Sequence, residues 1–216
     1  LGDWKNAAQE CIVTGHDAEV RDGLAKVCFD LEMSVGAACR LEYAVNGKGE
    51  LQVRMDYRPL KDGLQLIPKV GMRMRIPAEY SQVSWYGRGP HENYPDRKSG
   101  YFIGQYSMPL DEFIFDYASP QDNANRCDTR WFSLGNGSRD IEIHGLQELN
   151  FRAWPYGEED LEGSAHPFDI PARDFINVNI DFKIHGVGGN DGWGARTMDA
   201  YTIDPAQPYS FGFIIR

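Results

Sequence analysis

The chain has 216 residues, with 22 basic against 32 acidic side chains, a net charge of −10 and an isoelectric point near 4.9. That balance repels a polyphosphate, and without a local Lys/Arg cluster to reverse it nucleic acid is excluded as a partner. The longest apolar stretches, such as Phe211 to Ile215, fall far short of a membrane span.

The chain opens at Leu1-Gly2-Asp3-Trp4 without Met or a visible signal peptide, as a piece of something longer would. Residues 1–23 read as a lead-in from a preceding segment and 24–216 as one domain. Cys11, Cys28, Cys39 and Cys127 form no CxxC pair and have no His at ligand spacing, so the expected metal is none. They read as reduced thiols packed as small apolar groups.

From Leu24 onward period-two alternation dominates. Val27, Phe29, Leu31 and Met33 share one face, as do Cys39, Leu41, Tyr43 and Val45. Then come Asn46-Gly47-Lys48-Gly49 and a second alternating run at Leu51, Val53, Met55 and Tyr57, which together spell a β-hairpin. Val70, Met72, Met74 and Ile76 alternate with Gly71, Arg73 and Arg75.

The stretch Trp85 to Arg97 holds glycines and prolines that read as strand breakers, which predicts an irregular polar loop. Glu92, Asn93, Asp96 and Arg97 either serve it as a binding or interface loop or satisfy its own backbone, and the second reading is favoured. Leu110 to Phe115 is ambiguous between helix and strand. Between Ser119 and Trp131, Arg126 and Arg130 are four apart and on a strand would share one face. They would hold a carboxylate of a ligand or a neighbouring domain, or, as the favoured reading, pair with Asp96 or Glu92.

Residues 157–162 suit a turn or two of helix. The longest alternation places Ile176, Val178, Ile180, Phe182 and Ile184 against Asn177, Asn179, Asp181 and Lys183, and Tyr209, Phe211, Phe213 and Ile215 close the chain. Many strands without a βαβ rhythm predict an all-β fold of large antiparallel sheets packed as a sandwich.

Between the last two runs lies Gly186-Val187-Gly188-Gly189-Asn190-Asp191-Gly192-Trp193-Gly194, with five glycines in nine residues. An indole with so little bulk around it is poorly suited to a core. It reads as a ring held outward on a shaped loop, able to stack on the C–H face of a sugar. No helix comes after it that would make the glycines a pyrophosphate site. Of the histidines, His144 and His185 end strand runs, where a satisfied surface histidine is the ordinary outcome.

The runs Trp85 to Arg97, Pro120 to Arg130 and Gly188 to Trp193 resemble, in order, W-x-G-x-G-P-x-E-N-Y-x-D-R, P-x-E-N-x-x-R-C-x-T-R and the late tryptophan loop of glycoside hydrolase family 2 β-galactosidases. The match is to their C-terminal β-sandwich, the small-chain domain or domain 5. The resemblance implies an antiparallel β-supersandwich of the galactose mutarotase kind. It also implies that Trp193 stacks on sugar at the mouth of the active site, with Asp191 and Asn190 beside it as substrate-binding residues. Asn190 stands where the family often has Asp. No catalytic residue is implied here, because the family's paired glutamates and its Mg and Na sites lie on a (β/α)₈ barrel, which needs ~250 residues of βα alternation.

The partners implied are therefore that barrel, a galactoside and, in the parent, other copies of itself, in the cytoplasm or periplasm of a bacterium. The isolated chain is expected to hydrolyse nothing. Two other readings remain. One is a free-standing aldose 1-epimerase, using His144 or His185 with Glu92 or Glu148 as acid and base. The other is a non-catalytic carbohydrate-binding module.

Overall fold

A computed structural model describes residues 2–216. The chain divides into two compact units. The first runs to Val70 and is completed by Ile143–Gln147 and Ile184–Arg216, and the second comprises Gly71–Glu142 and Glu148–Lys183. Both are built from antiparallel strands, so the all-β class expected of the sequence holds.

In the first unit the strands are β1 (Ile12–Arg21), β2 (Leu24–Met33), β3 (Ala37–Asn46), β4 (Leu51–Pro59) and, from the end of the chain, β11 (Tyr209–Ile215). They pair in the order β1-β2-β3-β4-β11, and β11 then meets residues 143–145 of the long strand β9 (Asp140–Trp154). Leu24 lies at the end of a tight turn between β1 and β2. There Asp22 and Gly23 both take positive φ, 53° and 78°, which matches the twist of two paired strands. The β3–β4 hairpin forms where the sequence places it. Asn46 Oδ1 accepts from the backbone N–H groups of Lys48 and Glu50, Gly49 takes φ 84°, and Val45 faces Leu51.

The inner face of β4 and β11 is apolar, with Val53, Met55, Tyr57, Phe211 and Phe213 buried. Gly212 has to be glycine, since a Cβ there would sit 2.8 Å from the Val53 carbonyl oxygen. Tyr57 donates its hydroxyl to the Pro205 carbonyl at 3.0 Å, and its ring lies near those of Trp4 and Tyr209.

The second unit contains most of β5 (Lys69–Pro77), then β6 (Gln82–Gly89), β7 (Phe102–Pro109), β8 (Arg126–Gly135), the rest of β9 and β10 (Phe175–Ile184). Its order is β7-β6-β8-β9-β10-β5. The ambiguous segment becomes a single helical turn, α1 (Leu110–Phe113), and the acidic one a short helix, α2 (Glu158–Gly163). Its core is aromatic. Phe132 stacks on Phe151 with ring centroids 4.2 Å apart, and Phe113 meets the Trp85 ring edge-on at 5.4 Å.

The irregular loop expected from Trp85 onward begins only after Gly89, because Trp85–Gly89 is the second half of β6. Its glycines are packing glycines. A Cβ on Gly87 would lie 2.9 Å from Thr129 Cα, and one on Gly89 would run into the rings of Tyr106 and Trp85. Alternation does not mark β8, whose residues Phe132 to Gly135 are all buried. Cys28, Cys39 and Cys127 are buried free thiols and Cys11 is half-buried and free. Burial pushes Cys39 and Cys127 up to about 12. Among the described residues no helix is long and apolar enough to cross a membrane.

Candidate functional site

The glycine-rich loop after β10 belongs to the first unit and is fixed at its base. The backbone N–H of His185 donates to the Pro68 carbonyl at 2.8 Å and that of Gly186 to the Tyr201 carbonyl at 2.8 Å. Thr197 Oγ1 closes the neck by donating to the Gly186 carbonyl at 3.0 Å. Between these anchors Gly188, Gly189 and Gly194 take φ of 69°, 84° and 82°, which side chains with a Cβ rarely adopt.

Asp191 organises the tip. Its Oδ1 accepts the backbone N–H groups of Trp193 at 2.8 Å and Ala195 at 3.2 Å. Those hydrogen bonds, from Trp193 first and then Ala195, hold its carboxyl below the usual carboxylate range. A carboxylate that ties down the residue carrying the ring and the one two further on fixes the backbone on both sides of the indole. Trp193 itself is 95% exposed and Asn190 is exposed beside it. An exposed ring on a pinned loop can stack on an apolar ligand face and offer one N–H, but it has no group with which to move a proton.

The other expected residues gather in the second unit and serve its backbone. Glu92 accepts from the Tyr117 hydroxyl with one oxygen and from the Ala124 N–H, at 2.7 Å, with the other. Ala124 is thereby held at φ 68°. Asn93 is buried and binds the neighbouring segment on both sides. Its Oδ1 accepts the Cys127 N–H at 2.9 Å, and its carbonyl accepts from Asn125 Nδ2 at 2.8 Å. Arg97 lies over the Tyr94 ring and its N–H donates to the Tyr94 carbonyl at 2.8 Å, closing a turn that contains the half-buried Asp96.

Arg126 and Arg130 depart from expectation. Arg126 does not pair with Glu92 or Asp96. It is buried and donates to the carbonyls of Pro90, Ala124, Asn125 and Phe113, with its guanidinium 4.1 Å from the Phe113 ring centroid. Desolvation pulls it down to about 10, which still leaves it charged at neutral pH. Arg130 pairs with Glu148 and lies over the Tyr86 ring. The two are separated by Asp128 at φ 52°, which interrupts the strand alternation that would have placed them on one face. Asp128 takes Arg88 and Lys98 as partners. The carboxylates suggested for epimerase chemistry, Glu92 and Glu148, are thus committed to Tyr117, Ala124 and Arg130.

One polar cluster is not anticipated by the sequence. Arg152 is buried between Asp122 and Glu158 with its guanidinium 3.9 Å from the Trp154 ring centroid, and Tyr94 donates to Asp122 at 2.7 Å. Its signal is the polar alternation of Asn177, Asn179 and Asp181 on β10, which face Trp154, Arg152 and Asn150 on β9. No group of His, Cys, Asp and Glu among the described residues has the arrangement of a metal site.

The family described as "Beta galactosidase small chain" matches residues 1–215. A protein named beta-galactosidase from Priestia megaterium is 34% identical over 99% of this chain and 21% of its own length. The corresponding figures are 31%, 99% and 22% for one from Halalkalibacterium halodurans, and 28%, 100% and 21% for one from Lactobacillus delbrueckii subsp. bulgaricus. The chain therefore spans about a fifth of the length of these relatives. Among solved structures, a galactose 1-epimerase from Lactobacillus acidophilus aligns with 93% of this chain and 65% of its own, at a TM-score of 0.47 and 9% identity, too remote to bear on fold or function.

Proposed function

We propose that this chain, which belongs to the beta galactosidase small chain family, works as the non-catalytic part of a β-galactosidase that presents Trp193 to the substrate. What carries this reading is the 95% exposure of that indole on a loop whose tip is tied by Asp191 and whose neck is closed by Thr197. The relatives' names supply the substrate class, a terminal β-galactoside. A retaining glycosidase needs two carboxyl groups about 5 Å apart. In this proposal the remainder of the polypeptide supplies them, together with the Mg and Na that the resemblance implies. Asn190 and Asp191 accompany the ring, Asp191 mainly as its positioning residue.

The test is Trp193→Ala in the full-length enzyme. Losing one aromatic contact to the sugar is worth on the order of 1–3 kcal/mol, so kcat/KM for a galactoside is expected to fall roughly 5- to 150-fold. The urea midpoint stays within error of the parent, because a ring this exposed adds nothing to the core. Trp193→Phe retains part of the rate. Kinetics unchanged by Trp193→Ala would defeat the assignment.

A further inference from the structure

One face of the first unit's sheet is apolar on β2, β3, β4 and β11 and, apart from His16, on β1, but it is covered over only part of its width. On β4 and β11 the face is closed, with Val53 at 2% exposure and Phe213 at 3%. The register carries it outward, with one irregularity in β1 between Val13 and Gly15 that sets Val13 opposite Leu31 on the same face. Val53 faces Tyr43 of β3, Tyr43 faces Val27 of β2, and Val27 faces Ala18 of β1. Along that path the cover thins. Phe29 and Leu31 are half-buried, Val27 is 37% exposed, Val13 55% and Val20 82%.

The opposite face of the same strands is charged and internally paired. Arg40 binds Asp30 at 2.8 Å and Asp17 at 3.0 Å, and Lys26 binds Glu42 at 2.8 Å. An antiparallel sheet with one apolar and one charged face keeps the charged face in water and covers the other. A contiguous apolar strip left open marks an interaction surface.

We propose that the apolar face of β1 and β2 is a docking surface for other chain of the same polypeptide, packed against it in cis. This rests on the reading that the chain is part of a longer enzyme. Two observations select this occupant over a second copy. The strip continues the unit's own core face instead of forming a separate patch. The relatives carry about four-fifths of their length outside the matched region, since the chain spans 21% of the first of them. Tethered chain acts at a far higher effective concentration than a free copy.

Neighbouring residues on opposite faces make the test. In the full-length polypeptide, Val20→Cys places a thiol on the apolar face and Glu19→Cys one on the charged face, where Glu19 is exposed. A docked face reacts only through local opening. Val20→Cys is therefore expected to take up a maleimide at least about tenfold more slowly than Glu19→Cys, with the same ratio after dilution into the monomer range. Equal rates would overturn the proposal, and so would a Val20→Cys rate that rises on dilution, which would make the cover a second copy. Hydroxyl-radical footprinting of Val13 and Val27 in the unsubstituted protein gives the same reading if the variants misfold. Galactoside turnover is measured separately. Its absence defeats the proposed function and leaves the labelling ratio to decide docking on its own.

Discussion

Arg126 has a buried guanidinium and finds no carboxylate. Four carbonyl oxygens and two aromatic rings take its charge instead. Arg126→Ala strips those carbonyls of a charged donor and leaves a void beside Trp85 and Phe113. The expected loss is roughly 3–5 kcal/mol, read as a lower urea midpoint at unchanged slope. Arg126→Lys keeps the charge but not the planar fork and recovers less than half of that. A loss below about 1 kcal/mol for Arg126→Ala would show that water replaces the side chain without penalty. At this scale the sequence is readable for kind and unreadable for partner. Two arginines four apart announce a polar cluster, but the left-handed Asp128 between them turns one inward and leaves the other beside Glu148. Trp193 is legible for the opposite reason. Its glycine neighbours leave little side-chain bulk to cover it, and the ring is 95% exposed as that composition leads one to expect.

Strands whose two faces differ are legible as alternation. β2, β3, β4, β5, β10 and β11 fall where apolar residues recur every second position. The hairpin between β3 and β4 is legible from its turn chemistry. β8 is not legible, because Phe132–Gly135 is buried on both sides and polar residues fall at both even and odd positions, Arg126, Asp128 and Arg130 against Thr129 and Ser133. The end of β6 misleads because glycine has two meanings, freedom of φ and absence of a Cβ, and here the second applies. Gly87→Ala places a methyl 2.6 Å from Thr129 Oγ1 and 2.9 Å from its Cα. It is expected to cost about 1–3 kcal/mol. Gly47→Ala, in the β3–β4 turn with nothing within 4 Å and no positive φ, is the control and stays within about 0.5 kcal/mol. Equal effects of the two substitutions in urea unfolding would refute a packing role for Gly87.

For the whole molecule, titration bounds stability from both sides. Hydrogen bonds from Arg173 to Asp160, from Asn46 to Glu50 and from the Trp193 backbone to Asp191 hold these carboxyls low. At Asp128 burial works upward, but Lys98 and Arg88 outweigh it and the net shift is down. A carboxyl lower in the folded than in the unfolded chain contributes fully above about pH 4 and is lost as pH falls through its folded value. Burial raises Tyr94, and it pushes Tyr57 and Tyr117 up to about 12. A phenol raised in this way contributes fully below about pH 10 and is lost as pH rises past that point. The urea midpoint is therefore expected to be flat between about pH 5 and 8 and to fall on both sides, with the raised thiols of Cys39 and Cys127 adding to the loss from about pH 8.5. A midpoint still climbing at pH 3 contradicts the first assignment, and one still flat at pH 11.5 contradicts the second.

β4 pairs along its length with β11, the last strand of the chain, as Tyr57 with Tyr209 and Leu51 with Ile215. On a ribosome β4 emerges long before its partner exists. The inner side of the β3–β4 hairpin must wait, greasy and half-sheltered, until Tyr209–Ile215 leave the exit tunnel, because loop closure over so long a separation cannot begin earlier. A nascent chain held with Tyr209–Ile215 still inside the tunnel should thus bind chaperones tightly, and one extended until that segment is outside should be released.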